Sequence, residues 1–270
     1  MTATTRNISG IEVFIEGEAL APTVVMIHGW PDTHRLWDST VAALKGQHRC
    51  VRFTLPGYDL AQPARATSVQ EMCDLFAAII DAVSPDAPVT LLLHDWGCIF
   101  GYEYAAQHAA RVARIVAVDI GDHNTSAFHR SLNSRAKWMI LGYQVWLALA
   151  WKIGGAISAS LGNRMTRWMA HAIGCRTAPG AIGWQMNYPY AMQWFGLKGG
   201  FRGAARVKIQ CPTLYIFGEK KAFMFHSPQW LVQLAQQDGC TAVGLPTGHW
   251  VMVQQPLAFN ARVLEWLQVP

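Results

Sequence analysis

From Val89 to Leu93 the chain is apolar; it then meets the polar pair His94-Asp95, after which Gly97 to Ala110 has helical spacing of Ala, Tyr and Phe. A continuous apolar run of this length reads as a strand buried on both faces, as in a sheet covered by helices on either side. A carboxylate, Asp95, therefore stands at the apex of a strand-to-helix turn. One role open to it is to cap the helix. Another follows from its charge: it is ionised near pH 7 and can attack an electrophilic carbon with no base to deprotonate it first.

The remaining chain supplies a sheet around that strand. Ile11 to Glu16 alternates like an edge strand and Gly17 breaks it, while Thr23 to Ile27 is a second buried strand leading into His28-Gly29-Trp30-Pro31. In that turn Gly permits close backbone approach and Pro holds a sharp bend. His34 to Leu44 reads as a helix and His48 to Leu55 as a strand ended by Pro56-Gly57-Tyr58. Ser68 starts a helix to about Val83, Glu71 completing a capping box. Arg114 to Val118 is another buried strand with Asp119 at its C-terminal end, over which the ligand crevice of a parallel sheet lies. From about Gly121 to Gly203 the pattern changes to helices rich in Trp, Met and Ala. Cys211 to Phe217 resumes the sheet and Gly218-Glu219-Lys220-Lys221 follows. Ser227 begins a helix, Thr241 to Leu245 is the last strand, and Pro246-Thr247-Gly248-His249-Trp250 precedes a terminal helix over Pro256 to Leu267. Strands and helices alternating in this way predict an α/β fold, a mostly parallel sheet with helices on both faces.

Composition narrows the class. The chain has 270 residues, 51% hydrophobic and 14% charged, which excludes a disordered protein and allows one large domain or a core with an insertion. A net charge of +5 with scattered Lys and Arg gives no nucleic-acid motif. Six widely spaced cysteines without a CxxC pair read as free thiols in a reducing compartment, with no metal site. The polar N-terminus has no secretory h-region. The apolar run Trp138 to Trp151 is too short to cross a bilayer and reads as a buried or ligand-facing helix, with interfacial membrane contact as the lesser alternative. A cytoplasmic protein, monomeric or homodimeric and without stable membrane insertion, is expected.

His94-Asp95-Trp96-Gly97 and His28-Gly29-Trp30-Pro31 together resemble the nucleophile and oxyanion motifs of the α/β-hydrolase superfamily, in its epoxide hydrolase and haloalkane dehalogenase branch. The resemblance implies an α/β-hydrolase fold whose core is 1–120 and 204–270 and whose inserted helical cap is 121–203. It implies that Asp95 is the nucleophile in the place usually held by Ser, that Trp30 and Trp96 offer backbone N–H groups to an oxyanion, and that His249 is the base. The family commonly places the triad acid where this chain has Lys221, so the acid is expected at Asp119 or at Glu219, with Asp119 favoured. Leu93 is a second departure, since a small residue is usual two positions before the nucleophile. Cap tyrosines that donate to an epoxide oxygen correspond to Tyr143 and Tyr190, with Tyr188 as an alternative to the second. The implied activity is hydrolysis of a small hydrophobic epoxide to a diol through a covalent Asp95 ester, without a cofactor. Dehalogenation with the same nucleophile and non-hydrolytic ligand binding are the alternatives.

Overall fold

The computed structural model describes residues 3–269. Among them eight strands form one sheet: β1 (Thr4–Ile8), β2 (Ile11–Glu16), β3 (Thr23–Ile27), β4 (Arg49–Phe53), β5 (Val89–His94), β6 (Val112–Val118), β7 (Thr213–Gly218) and β8 (Thr241–Leu245). Their spatial order is β1-β2-β4-β3-β5-β6-β7-β8. β2 is antiparallel to both its neighbours, and from β4 through β8 all pairings are parallel. Ile11–Glu16 is thus not an edge strand. Thr4–Ile8 takes that place through a two-residue turn in which Ser9 and Gly10 have φ of 52° and 80°. Such a turn matches strand twist, and the polar Thr4–Ile8 segment has no apolar alternation to announce it.

The helices are α1 (Asp38–Leu44), α2 (Val69–Val83), α3 (Trp96–Gln107), α4 (Ser126–Ser131), α5 (Ser134–Ala156), α6 (Ala159–Ala172), α7 (Tyr188–Phe195), α8 (Pro228–Ala235), α9 (Val251–Gln254) and α10 (Pro256–Gln268). The expected helix from His34 begins as a tight turn over His34–Trp37 and becomes α-helical only at Asp38. Alternation along the strands divides the core. Val25, Ile27, Leu91, Leu93, Ile115 and Ala117 pack with α2 and α3, whereas Val24, Met26, Leu92, Val116 and Val118 pack with α1, α9 and α10. A side-chain period of two therefore gives β3, β5 and β6 two buried faces each. Between β6 and β7 the chain leaves the sheet for α4 to α7. The run read as a buried or ligand-facing helix lies in α5, but only part of α5 is inside: Leu147, Ala148 and Ala150 are buried and Trp138 is 72% exposed.

The turn from β5 into α3 is tight enough that three neighbours are glycines. A Cβ on Gly97 would stand 2.4 Å from the Ile27 carbonyl oxygen, and one on Gly29 would stand 2.4 Å from Asp95 Oδ1. The third, Gly101, explains how the bulky Leu93 is tolerated. A Cβ there would lie 2.6 Å from both Leu93 methyl carbons, so α3 has given up a side chain to the strand beneath it. Gly101→Ala is therefore expected to cost about 1–3 kcal/mol through overpacking. In a Leu93→Ala background the same change should be near neutral or stabilising, because Ala is the better helix former. A double-mutant cycle in urea measures the coupling, and additivity of the two changes contradicts the packing account.

Candidate active site

Asp95 has φ 53° and ψ −123°, a backbone state that costs a non-glycine residue on the order of 1–3 kcal/mol and persists only when its surroundings enforce it. Its side chain does not cap α3. Instead Oδ1 accepts a hydrogen bond from the Trp30 backbone N–H at 2.7 Å, and Oδ2 lies 3.4 Å from His249 Nε2. The Trp30 loop is itself fixed. His28 donates from Nδ1 to the Gly29 carbonyl at 2.9 Å and accepts the Leu55 N–H on Nε2 at 2.9 Å, and the Trp30-Pro31 peptide is cis. The Trp30 indole donates to Asn187 Oδ1 at 2.7 Å, joining this loop to the inserted helices.

His249 is held from its other side by Asp119, whose Oδ2 is 2.5 Å from Nδ1. Asp119 ends β6 with φ 68° and is fully buried. Its remaining oxygen accepts the Gly218 N–H at 2.9 Å and pairs with Lys221 Nζ. Lys221, which fills the position where the family commonly carries the acid, thus supports the carboxylate that has moved to the next strand. Glu219 is exposed and lies over Gly244 on β8. His94, the last residue of β5, reaches the His249 carbonyl at 3.3 Å and so ties the histidine loop to the sheet.

The charges follow from this packing. Burial opposes the charge on His249, but Asp119 and Asp95 outweigh it and raise the imidazole to about 9. Burial likewise opposes ionisation of Asp95, yet the His249 hydrogen bond and charge, with the Trp96 N–H, hold its pKa below the ordinary value. Asp119 is also held low, burial being outweighed by Lys221 and His249. His94 goes the other way: burial, reinforced by the nearby His249, lowers it to about 3, so it stays neutral. The site at rest is a carboxylate–imidazolium–carboxylate line with a lysine at its inner end.

Asp95 opens onto a cavity of about 280 Å³ lined below by Trp96, Ile99 and Ile120 and above by residues of α4, α5 and α7, including Tyr143, Gln144, Tyr190 and Trp194. Tyr143 and Tyr190 meet edge to face at 6.1 Å, and the Tyr190 ring also stands edge-on to Trp30 and Trp96 at 5.7 and 5.1 Å. Burial raises both phenols, and the Asp95 charge raises them further. Tyr188 packs elsewhere, edge-on to Tyr58 at 6.0 Å and against Gly57, and does not line the cavity. The structure thus brings together Asp95, His249, Asp119, Tyr143, Tyr190 and the N–H groups of Trp30 and Trp96, and leaves Glu219 and Tyr188 outside.

Two positioning residues escaped the sequence reading. His94 is one. The other is Asp32, whose carboxylate accepts from the Trp250 indole at 2.8 Å and from the Thr177 hydroxyl at 2.5 Å, joining the loop of His249 to the inserted segment. Asp32 directly follows the His28-Gly29-Trp30-Pro31 turn, the only sequence signal it offered. Among the described residues no cluster of His, Cys, Asp and Glu could hold a metal ion.

Residues 24–262 match the sequence model of the Alpha/beta hydrolase family, and the chain belongs to that family. Its relatives include epoxide hydrolases and a haloalkane dehalogenase. The chain is 39% identical over 113 residues to Probable oxidoreductase EphD of Mycobacterium tuberculosis, a match covering 40% of this chain and 19% of that protein. It is 30% identical over 147 residues to cis-3-alkyl-4-alkyloxetan-2-one decarboxylase of Xanthomonas campestris, covering 51% and 47%. A haloalkane dehalogenase of Mycolicibacterium smegmatis is 31% identical over 119 residues, covering 42% and 38%. The matches thus span about a fifth to a half of these relatives' length. Among solved structures, an epoxide hydrolase of Bacillus megaterium superposes with a TM-score of 0.72 at 16% identity, covering 98% of this chain and 99% of that one, which is a likeness of fold.

The electrostatics give a direct expectation for His249, measured by NMR titration of its imidazole. Asp95→Asn and Asp119→Asn should each lower the pKa from about 9, and Glu219→Gln should leave it in place. Because the folded pKa exceeds the ordinary 6.5, this pairing stabilises the fold fully below pH 6.5, and the contribution is lost as pH rises through about 9. A shift in the Glu219→Gln protein equal to that in Asp119→Asn overturns the assignment of the acid.

Proposed function

We propose that this protein is an epoxide hydrolase acting on a small hydrophobic epoxide, and the observation that carries the reading is a pair of tyrosines, Tyr143 half-buried and Tyr190 buried, that line one cavity together with Asp95. Asp95 Oδ2 attacks one ring carbon, the carbon–oxygen bond on that side breaks, and the oxygen takes a proton from Tyr143 or Tyr190. Both phenols are protonated at neutral pH, so each can donate while charge develops on the oxygen. The product of this step is an ester of Asp95.

Hydrolysis of the ester uses the same line of charges in a different state. Alkylation removes the negative charge of Asp95, which is one of two carboxylates holding His249 protonated. The imidazole pKa then falls, its proton passes to the tyrosinate left by ring opening, and Nε2 becomes a base for water at the stage that requires one. Hydroxide adds to the Asp95 carboxyl carbon, the oxyanion rests on the N–H groups of Trp30 and Trp96, and collapse expels the diol and restores the carboxylate. Asp119, fixed by Lys221 and Gly218, keeps Nδ1 protonated and the ring aimed. No cofactor enters these steps.

Dehalogenation fits less well. A departing halide needs converging N–H donors, and the Trp30 indole already donates to Asn187. The oxetanone named for the Xanthomonas relative is also a strained ring, so a β-lactone belongs in the substrate panel. With styrene oxide, His249→Asn should accumulate an adduct on the Asp95 peptide by mass spectrometry, and Asp95→Asn should not. One wild-type turnover in ¹⁸O-water should place the label in the Asp95 carboxylate and leave the diol unlabelled. Tyr143→Phe and Tyr190→Phe should each slow adduct formation about 10²-fold. Release of halide from haloalkanes without diol formation from any epoxide, or an unmodified Asp95 peptide throughout, contradicts the reading.

A further inference from the structure

Charge is divided unevenly along this chain. From His123 to Gly218 there are eleven Lys and Arg and not one Asp or Glu, so all seventeen acids lie elsewhere with the other eleven cations. The cationic segment is the one that forms α4 to α7. Among the described residues only one of its cations, Lys198, has a carboxylate within ion-pair distance, that of Glu71 at 3.6 Å. Arg130, Arg135, Lys137, Lys152, Arg164 and Arg176 are all exposed.

The same helices expose large apolar side chains in an ordered way. On α5, Trp138, Gly142, Leu149, Lys152 and Ala156 are exposed at helical spacing and make one stripe. Ile157, 77% exposed, ends the stripe at the turn into α6, and Trp168 of α6 is 58% exposed with Leu161 about two helical turns earlier. The patch is continuous across the helices. Trp168 packs on Trp146 of α5 at 5.1 Å, Lys152 sits over the Phe195 ring at 4.3 Å, and the exposed Trp194 donates to Gln144 at 3.1 Å. Indoles, aliphatic side chains and arginines without an intervening acid are the composition of a surface that lies in a lipid headgroup layer.

We infer that α5, α6 and α7 form a docking face for an anionic membrane surface, which the protein binds peripherally with Trp138, Ile157 and Trp168 entering the headgroup region. Among the described residues no helix is long and apolar enough to cross a membrane, so the contact is with the surface. A second copy of the chain is a poor occupant, since a symmetric contact would set the cations of one face against those of the other. A nucleic acid would satisfy the cations but leaves Leu149, Ile157 and Leu161 without an apolar environment. Lipid meets both demands. Lys137, Leu141 and Trp194 belong both to this segment and to the lining of the Asp95 cavity, so the docked protein would draw lipophilic molecules from the bilayer.

The test is co-sedimentation of the full chain with vesicles of phosphatidylcholine alone or mixed with phosphatidylglycerol. Binding should be roughly tenfold or more tighter to the mixed vesicles, should fall with added salt, and should shift tryptophan emission to the blue. The triple variant Trp138→Ser, Ile157→Ser, Trp168→Ser and the charge reversal Lys152→Glu, Arg164→Glu should each abolish it while retaining the wild-type circular dichroism. Failure to bind mixed vesicles at low salt overturns the inference, as does binding that both variants retain. Equal or tighter binding to duplex DNA, or concentration-dependent dimers in sedimentation velocity that the triple variant removes, assigns the face to another occupant and overturns it as well.

Discussion

A fully buried carboxylate at the end of β6 has to be answered by donors, because an ionised group out of water without partners is not tolerated. Asp119 is answered by three: the Gly218 N–H, the Lys221 ammonium and the His249 imidazole. Two come from the end of β7 and the third from the loop after β8, so satisfying one charge fixes the relation of β6, β7 and that loop. His249 then has one orientation left, with Nε2 facing Asp95. His94 and Asp32 secure the same loop through the His249 carbonyl and the Trp250 indole. The geometry at Asp95 is thus the outer end of a chain of electrostatic demands that begins in the core.

The departure at Lys221 becomes intelligible in these terms. A cation at the end of β7 cannot orient an imidazole as an acid would, but it can neutralise an acid one strand away. The exchange retains a carboxylate against Nδ1 and keeps the local charge balanced. Leu93 and Gly101 show the same logic in volume: the strand carries the large residue and the helix above it the absent one. Both departures are compensated by a partner far away in sequence and adjacent in space.

That separation also marks what the sequence made legible. Strands β3, β5, β6 and β7 could be read from their apolar runs, because burial on both faces leaves a nearly unbroken signature, and α2 from its capping box. The turn residues Asp95, Trp30 and His249 could be singled out because each closes a strand at the edge where a crevice opens. Thr4–Ile8 could not, since a polar edge strand has no buried face to pattern it. Choosing between Asp119 and Glu219, or Tyr190 and Tyr188, required knowing which way a side chain leaves the backbone. Asp119 turns inward from a left-handed backbone position, and Tyr188 is a neighbour of Tyr190 on one helix yet packs into Tyr58. The run in α5 could be read as buried, ligand-facing or interfacial but not divided among these, because an apolar run cannot say whether its partner is protein.

Under the proposed reaction the two halves of the site must differ in proton affinity, and the structure supplies the means. The tyrosines are withdrawn from water, Tyr190 fully and Tyr143 in part, and lie near an anion, so they hold their protons strongly and release one only to a base as strong as the alkoxide of an opening ring. His249 is buried between two anions, so it holds a proton only while both are present. One covalent event, esterification of Asp95, removes the anion that both effects share. It lowers the imidazole toward neutrality and relieves the tyrosines at the same moment, so the site is acidic toward the epoxide and basic toward the ester without any residue moving.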